Sequence, residues 1–105
     1  MKKILLIEDD QDQVNMYQFA FKLAGFDFIS SRTAGIGLSA AKAEKPDLIL
    51  LDILLDHDSG LDVLKKLKAD QETQNIPVMI VTNFSKEEVI DKALKLGAVE
   101  TVIKT

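Results

Sequence analysis

A doubly wound α/β domain is the fold class this chain predicts, and three observations carry it. Short apolar runs at Ile4 to Ile7, Leu48 to Leu51 and within "IPVMIVT" read as strands, and segments of helical spacing separate them. These runs stay apolar along their length, as expected of parallel strands covered on both faces. Strand and helix also alternate from one end of the chain to the other, the pattern of repeated βα units.

The elements follow in order. The first strand breaks on Glu8. Residues 11 to 24 place Val14, Tyr17, Ala20, Phe21 and Ala24 at helical spacing, and Gly25 stops that helix. "FDFIS" is a second, weaker strand. A helix from about Thr33 to Lys45 carries Ile36, Leu38, Ala40 and Ala41 and ends at Pro46. The third strand runs from Leu48 to Asp52. Gly60 opens a helix with Leu61, Val63, Leu64 and Leu67. "IPVMIVT" is the fourth strand, with Pro77 near its start, where a missing N–H does little harm. Ser85 and Glu88 make a capping box for a helix carrying Val89, Ile90, Ala93 and Leu94, which Gly97 ends. "VETVIK" is the fifth strand.

Composition narrows the function. With 105 residues the chain suits one domain, and a chain of this size buries roughly 65% of its unfolded surface, so a core forms without staples. Cysteine is absent and His57 is the single histidine, which excludes disulfides, thiolate chemistry and histidine-rich metal sites. A net charge of −4 provides no basic patch for nucleic acid. No apolar run approaches the ~20 residues of a membrane span, and the four apolar residues of "MKKILLIEDD" are too few for a signal peptide. A soluble cytoplasmic protein is expected.

In open α/β sheets, ligands bind beyond the carboxyl ends of the strands. That rule selects Glu8, Asp9 and Asp10 after the first strand, Asp52 after the third, Thr82 after the fourth and Lys104 at the end of the fifth. Three carboxylates within ~5 Å repel by roughly 3 kcal/mol per pair at an effective dielectric of 20. Such a group protonates or holds a cation, and hard oxygens without nitrogen or sulfur suit Mg²⁺. Lys104 and Thr82 then complete a site for a phosphoryl group, leaving Asp52 as an ionised oxygen nucleophile facing phosphorus.

"KKILLIEDD", "KPDLILLDILL…SG", "IPVMIVT" and "LGAVETVIK" together resemble the four signature segments of response-regulator receiver domains, in order and at family spacing across the whole chain. The resemblance implies a flavodoxin-like five-stranded parallel sheet in strand order 2-1-3-4-5, and a two-component phosphorelay role. Asp52 would accept a phosphoryl group from a phosphohistidine on a sensor histidine kinase or histidine phosphotransfer protein, and a downstream protein would read the change. Asp9 would ligate Mg²⁺ directly and Glu8 through water, with Asp52 and the backbone carbonyl of Leu54 as further ligands. Thr82 would bind a phosphoryl oxygen and Lys104 would pair with Asp52 or its phosphoryl group. Asp10 is read as a cap of the first helix.

Departures from the family pattern are specific. Thr101 stands where the fifth strand usually carries an aromatic switch residue. Asn83 replaces the small residue that normally follows the hydroxyl, and with Leu54 and Phe84 it predicts slow loss of the phosphoryl group. Asp56 replaces a proline. The chain reads as one receiver domain over 1–105 that is truncated before the usual fifth helix. Strand parity puts Met79, Val81 and Val102 on the face that helix would shield, so a homodimer covering it is expected.

Blander readings stand beside these. An Asp at a strand end is commonly a turn residue, Thr82 a strand-ending β-branched residue, and Lys104 a solvated side chain. Asp56, His57 and Asp58 read as solvated loop residues, and Gly35 and Gly37 as too little for a dinucleotide site. Tyr17, Phe19 and Phe21 read as core or helix surface. Among functions, a self-phosphorylating switch competes with a phosphorylation-independent interaction module that keeps the acidic pocket. It also competes with an Asp-nucleophile Mg²⁺ phosphatase, against which Leu54 argues: that class places a second Asp at this position.

Overall fold

The computed structural model describes residues 2–53, 59–82 and 87–103. Nine elements follow one another: β1 (Lys3–Ile7), α1 (Gln11–Leu23), β2 (Asp27–Ser31), α2 (Ala34–Glu44), β3 (Leu48–Leu51), α3 (Gly60–Ala69), β4 (Val78–Thr82), α4 (Glu87–Lys95) and β5 (Glu100–Ile103). The strands form one parallel sheet in the order β2-β1-β3-β4-β5. No fifth helix is among the described residues. Sheet, order and alternation agree with the fold expected from the sequence.

Each face of the sheet has its own core. Leu5, Ile7, Ile49, Leu51, Val78 and Ile80 point to the side where α2, α3 and α4 bring Ala34, Ala41, Val63, Leu64, Leu67 and Ala93. Ile4, Leu6, Leu50 and Val81 point to the other side, against Val14 of α1 and the half-buried Tyr17, Phe21 and Phe28. Phe21 is the hub of that second layer: its ring lies 6.2 Å from Tyr17, 5.9 Å from Phe26 and 5.9 Å from Phe28. Phe19, on the opposite side of α1, is 72% exposed.

Helix ends follow local chemistry. The Asp10 side chain accepts from the amides of Asp12 and Gln13, Thr33 accepts from Ile36, and Ser59 accepts from Leu61. α2 ends at Lys45, whose φ of 45° turns the chain left-handed just before Pro46. The expected capping box of α4 involves Ser85, which lies outside the described residues.

Several side chains differ from the periodic reading. Ile36 is exposed, and α2 instead buries Ala34, Gly37 and Ala41. A Cβ on Gly37 would stand 2.7 Å from Cδ1 of Ile7, so α2 sits close enough to β1 that any larger residue there makes the Ile7 side chain shift. Ala20, Ala24 and Leu94 are also exposed. Met79, Val81 and Val102 share a face as parity predicts, since Val81 pairs with Val102. Their exposure is uneven, however: Val81 is buried beside Leu50, Met79 is half-buried, and Val102 is exposed.

Candidate functional site

β1 and β3 end side by side at the carboxyl rim, and backbone hydrogen bonds extend their alignment past the last strand residue. The Glu8 amide donates to the Ser31 carbonyl at 3.0 Å, and the Asp52 amide donates to the Ile7 carbonyl at 3.2 Å. The chain therefore leaves each strand with its first acidic side chain held at the rim. Glu8 and Asp52 are buried, and Asp9 is half-buried. One carboxylate oxygen from each of Glu8, Asp9 and Asp52 lies within 4.8 Å of the others. At that separation each ionised pair repels by about 3 kcal/mol at an effective dielectric of 20.

Asp10, adjacent in sequence, has a different task. Its Oδ1 accepts from the amides of Asp12 at 2.9 Å and Gln13 at 3.4 Å, so it starts α1, as the sequence suggested. Its own amide donates to Oε2 of Glu8 at 3.4 Å, which ties the start of the helix to the acidic group. Thr82 is fully buried at the end of β4. Because Leu51 pairs with Ile80, Thr82 stands one residue beyond the level of Asp52 on the neighbouring strand.

Gly60 is a part of the site that its sequence reading understated. Its amide donates to the Ile53 carbonyl at 2.6 Å. A Cβ added there would overlap the Asp52 carbonyl oxygen and Cα of Ile53. The first turn of α3 thus presses directly on the backbone that carries Asp52. Only the spacing from Asp52 to Gly60 signalled this. Ser31, whose carbonyl anchors Glu8, carried no signal at all.

Lys104 and Leu54 lie outside the described residues, as do Asp56, His57, Asp58, Asn83 and Phe84. Thr101 lies on β5 opposite Ile80, on the same sheet face as Thr82. Its hydroxyl oxygen is buried and has no hydrogen-bond partner.

The family model for the response regulator receiver domain matches residues 4–105. The chain belongs to that family. This receiver domain is 35% identical over 105 residues to the alkaline phosphatase synthesis transcriptional regulatory protein PhoP of Bacillus subtilis, a match covering 98% of this chain and 42% of that protein. It is 37% identical over 84 residues to the polar-differentiation response regulator DivK of Brucella ovis, covering 80% of this chain and 68% of that one. The crystal structure of the Mn²⁺-bound form of response regulator Rcp1 superimposes with a TM-score of 0.90 at 25% identity, covering 100% of this chain and 82% of that one. The receiver domain thus spans less than half of the PhoP relative and about two-thirds of DivK. Receiver domains are the phosphoacceptor switches of two-component signalling, and membership gives this chain that role. No described helix is long and apolar enough to cross a membrane.

Proposed function

We propose that this receiver domain takes a phosphoryl group onto Asp52 from the phosphohistidine of a sensor histidine kinase or histidine phosphotransfer protein, with Mg²⁺ held by Glu8, Asp9 and Asp52. The convergence of three carboxylate oxygens within 4.8 Å carries this reading. An all-oxygen donor set fits a hard divalent cation that keeps some of its waters. Asp9 and Asp52 are assigned as direct ligands, Glu8 as a ligand through water, and the Leu54 carbonyl as a further ligand on sequence alone. When bound, the ion supplies positive charge that lets the carboxylates stay ionised together and offsets charge on the phosphoryl oxygens.

The protein groups then have distinct parts. An ionised oxygen of Asp52 attacks phosphorus and forms the P–O bond of an acyl phosphate. The P–N bond to the donor imidazole breaks, and its electron pair stays on the ring nitrogen. The Asp52 amide, donated to Ile7, holds the nucleophile at the rim while the pressure of Gly60 sets its backbone. The Thr82 hydroxyl donates to a phosphoryl oxygen, and Lys104 brings an ammonium to the same group.

The product stays on the protein, so the domain is a switch and not a turnover enzyme on a metabolite. Its output passes by contact with a downstream protein. The same reading puts it in the cytoplasm, where phosphohistidine donors are charged from ATP. It also retains a homodimer through the face carrying Val102, supported by that residue's 41% exposure. Sedimentation showing only monomer at high protein concentration removes the dimer.

Mass spectrometry after treatment with acetyl phosphate and Mg²⁺ tests the central reading. One added phosphoryl group on the wild type and none on Asp52→Asn is the expected result. An unmodified wild type overturns it and leaves the phosphorylation-independent module.

A further inference from the structure

Of the seven large apolar side chains exposed among the described residues, three stand on α1, while α2 and α4 have one each. Met16, Phe19 and Leu23 are 53%, 72% and 77% exposed. They lie on the side of α1 turned away from Val14, Tyr17 and Phe21, which pack on the sheet, so the fold itself gives them no cover. Their spacing of three and then four is that of the seam of a two-stranded coil, and Asp12 continues the stripe toward the N-terminus. Beside the stripe, Asn15, Gln18, Phe19, Lys22 and Leu23 line a hollow. The first four stand at i, i+3, i+4 and i+7, the set that makes the hole for a knob on a facing helix. One helix face thus offers both a knob, Phe19, and a hole to receive one.

We propose that this face pairs with the same face of a second copy of the chain, the two α1 helices running antiparallel with Phe19 of each in the hollow of the other. A surface holding both knob and hole is complementary to itself, as a two-fold contact requires. Charge fixes the direction. Asp12 is the acid of the first turn and Lys22 the base of the last. Neither has an ion pair among the described residues. Antiparallel copies bring the Asp12 end of each helix to the Lys22 end of the other and oppose the two helix dipoles. Parallel copies would press Asp12 against Asp12 in the seam. The 13 residues of α1 extend about 20 Å, so the strip buries roughly 500 Å² per copy, short of the ~800 Å² of a standard interface. The pair therefore forms and parts with concentration. It does not use the face carrying Val102.

Sedimentation over rising protein concentration tests the contact, in a Val102→Asp background that removes the other proposed dimer. That protein should still pass from monomer to dimer. Adding Phe19→Glu, which puts a carboxylate where the copies meet, should weaken association about tenfold or more while leaving the melting temperature unchanged. Phe19→Ser takes its place if the glutamate variant does not fold. The chain has no cysteine, so single cysteines report the direction. A short bismaleimide should join Ala20→Cys to its mate beside the two-fold axis. It should not join Leu23→Cys, whose mate lies about 13 Å away along the helices. Association untouched by either Phe19 variant overturns the inference. So does a protein that stays monomeric at every concentration, which leaves the stripe to a helix of another protein. Cross-linking through Leu23→Cys in place of Ala20→Cys overturns the antiparallel arrangement. None of these results bears on the Asp52 reading.

Discussion

At the scale of single residues, two glycines set positions that no side chain announces. Gly60 meets backbone: the Asp52 carbonyl and Cα of Ile53 occupy the place of a Cβ. Gly37 meets side chain, with Cδ1 and Cγ1 of Ile7 at 2.7 and 2.9 Å. Backbone cannot rotate away, whereas Ile7 has a second χ angle through which to adjust. Gly60→Ala is therefore expected to destabilise by about 2–3 kcal/mol, and Gly37→Ala by about 1 kcal/mol after its gain in helix propensity. Urea unfolding measures both. Gly60→Ala should also slow phosphorylation of Asp52, which Gly37→Ala should leave unchanged. The acids were legible from the sequence because strand ends place them: Glu8, Asp9 and Asp52 follow apolar runs, and parallel sheets gather such positions at one rim. The glycine constraints were not, because each arises from a residue far away in the chain.

Elements were easier to recognise than to orient. α3 buries Val63, Leu64 and Leu67 as its spacing says. α2 does not bury Ile36, because its seat against β1 is filled by Ala34, Gly37 and Ala41, with Leu38 packed at its margin. Phe19 and Leu94 show the same limit: hydrophobic spacing identifies a helix but does not count how many sides of it are covered. The join between α3 and β4 was also unreadable in advance. Lys68 sends its ammonium to the carbonyls of Ile76 at 2.8 Å and Gln74 at 3.2 Å, and its stem packs where Gly97 leaves room. Partial burial lowers its pKa below the ordinary 10.5. With the folded pKa below the unfolded one, the unfolded chain binds more protons between the two values, so stability rises with pH across that interval. Lys68→Met should lose this rise, and at neutral pH it leaves two carbonyls without their donor. Urea unfolding across the alkaline interval just below 10.5 checks both. Lys42 beside Asp70 and Lys3 beside Glu44 have raised values instead, so their contributions fade only above that interval.

Across the whole molecule, the two cores hold a sheet whose carboxyl rim concentrates negative charge. Glu8, Asp9 and Asp52 repel one another, and the folded state alone assembles them. A cation bound there stabilises folding by mass action, about 2.7 kcal/mol at a hundred times its Kd. Thermal unfolding in Mg²⁺ against EDTA should show a rise of roughly ten degrees or more for a domain of this size. Asp9→Asn should melt higher than wild type in EDTA and respond less to Mg²⁺. The alternation of strands and helices made this architecture readable, and the strand order followed from the resemblance to receiver domains.

The strand order also has a consequence for how the protein comes into being. β3 lies between β1 and β4, so the rim needs tips contributed by segments far apart along the chain. A polypeptide leaving the ribosome presents Glu8, Asp9 and Asp52 well before Thr82 and its strand have emerged. Until β4 docks, the edge of β3 facing away from β1 has no strand beside it. A nascent chain therefore completes this rim only after β4 has emerged and docked.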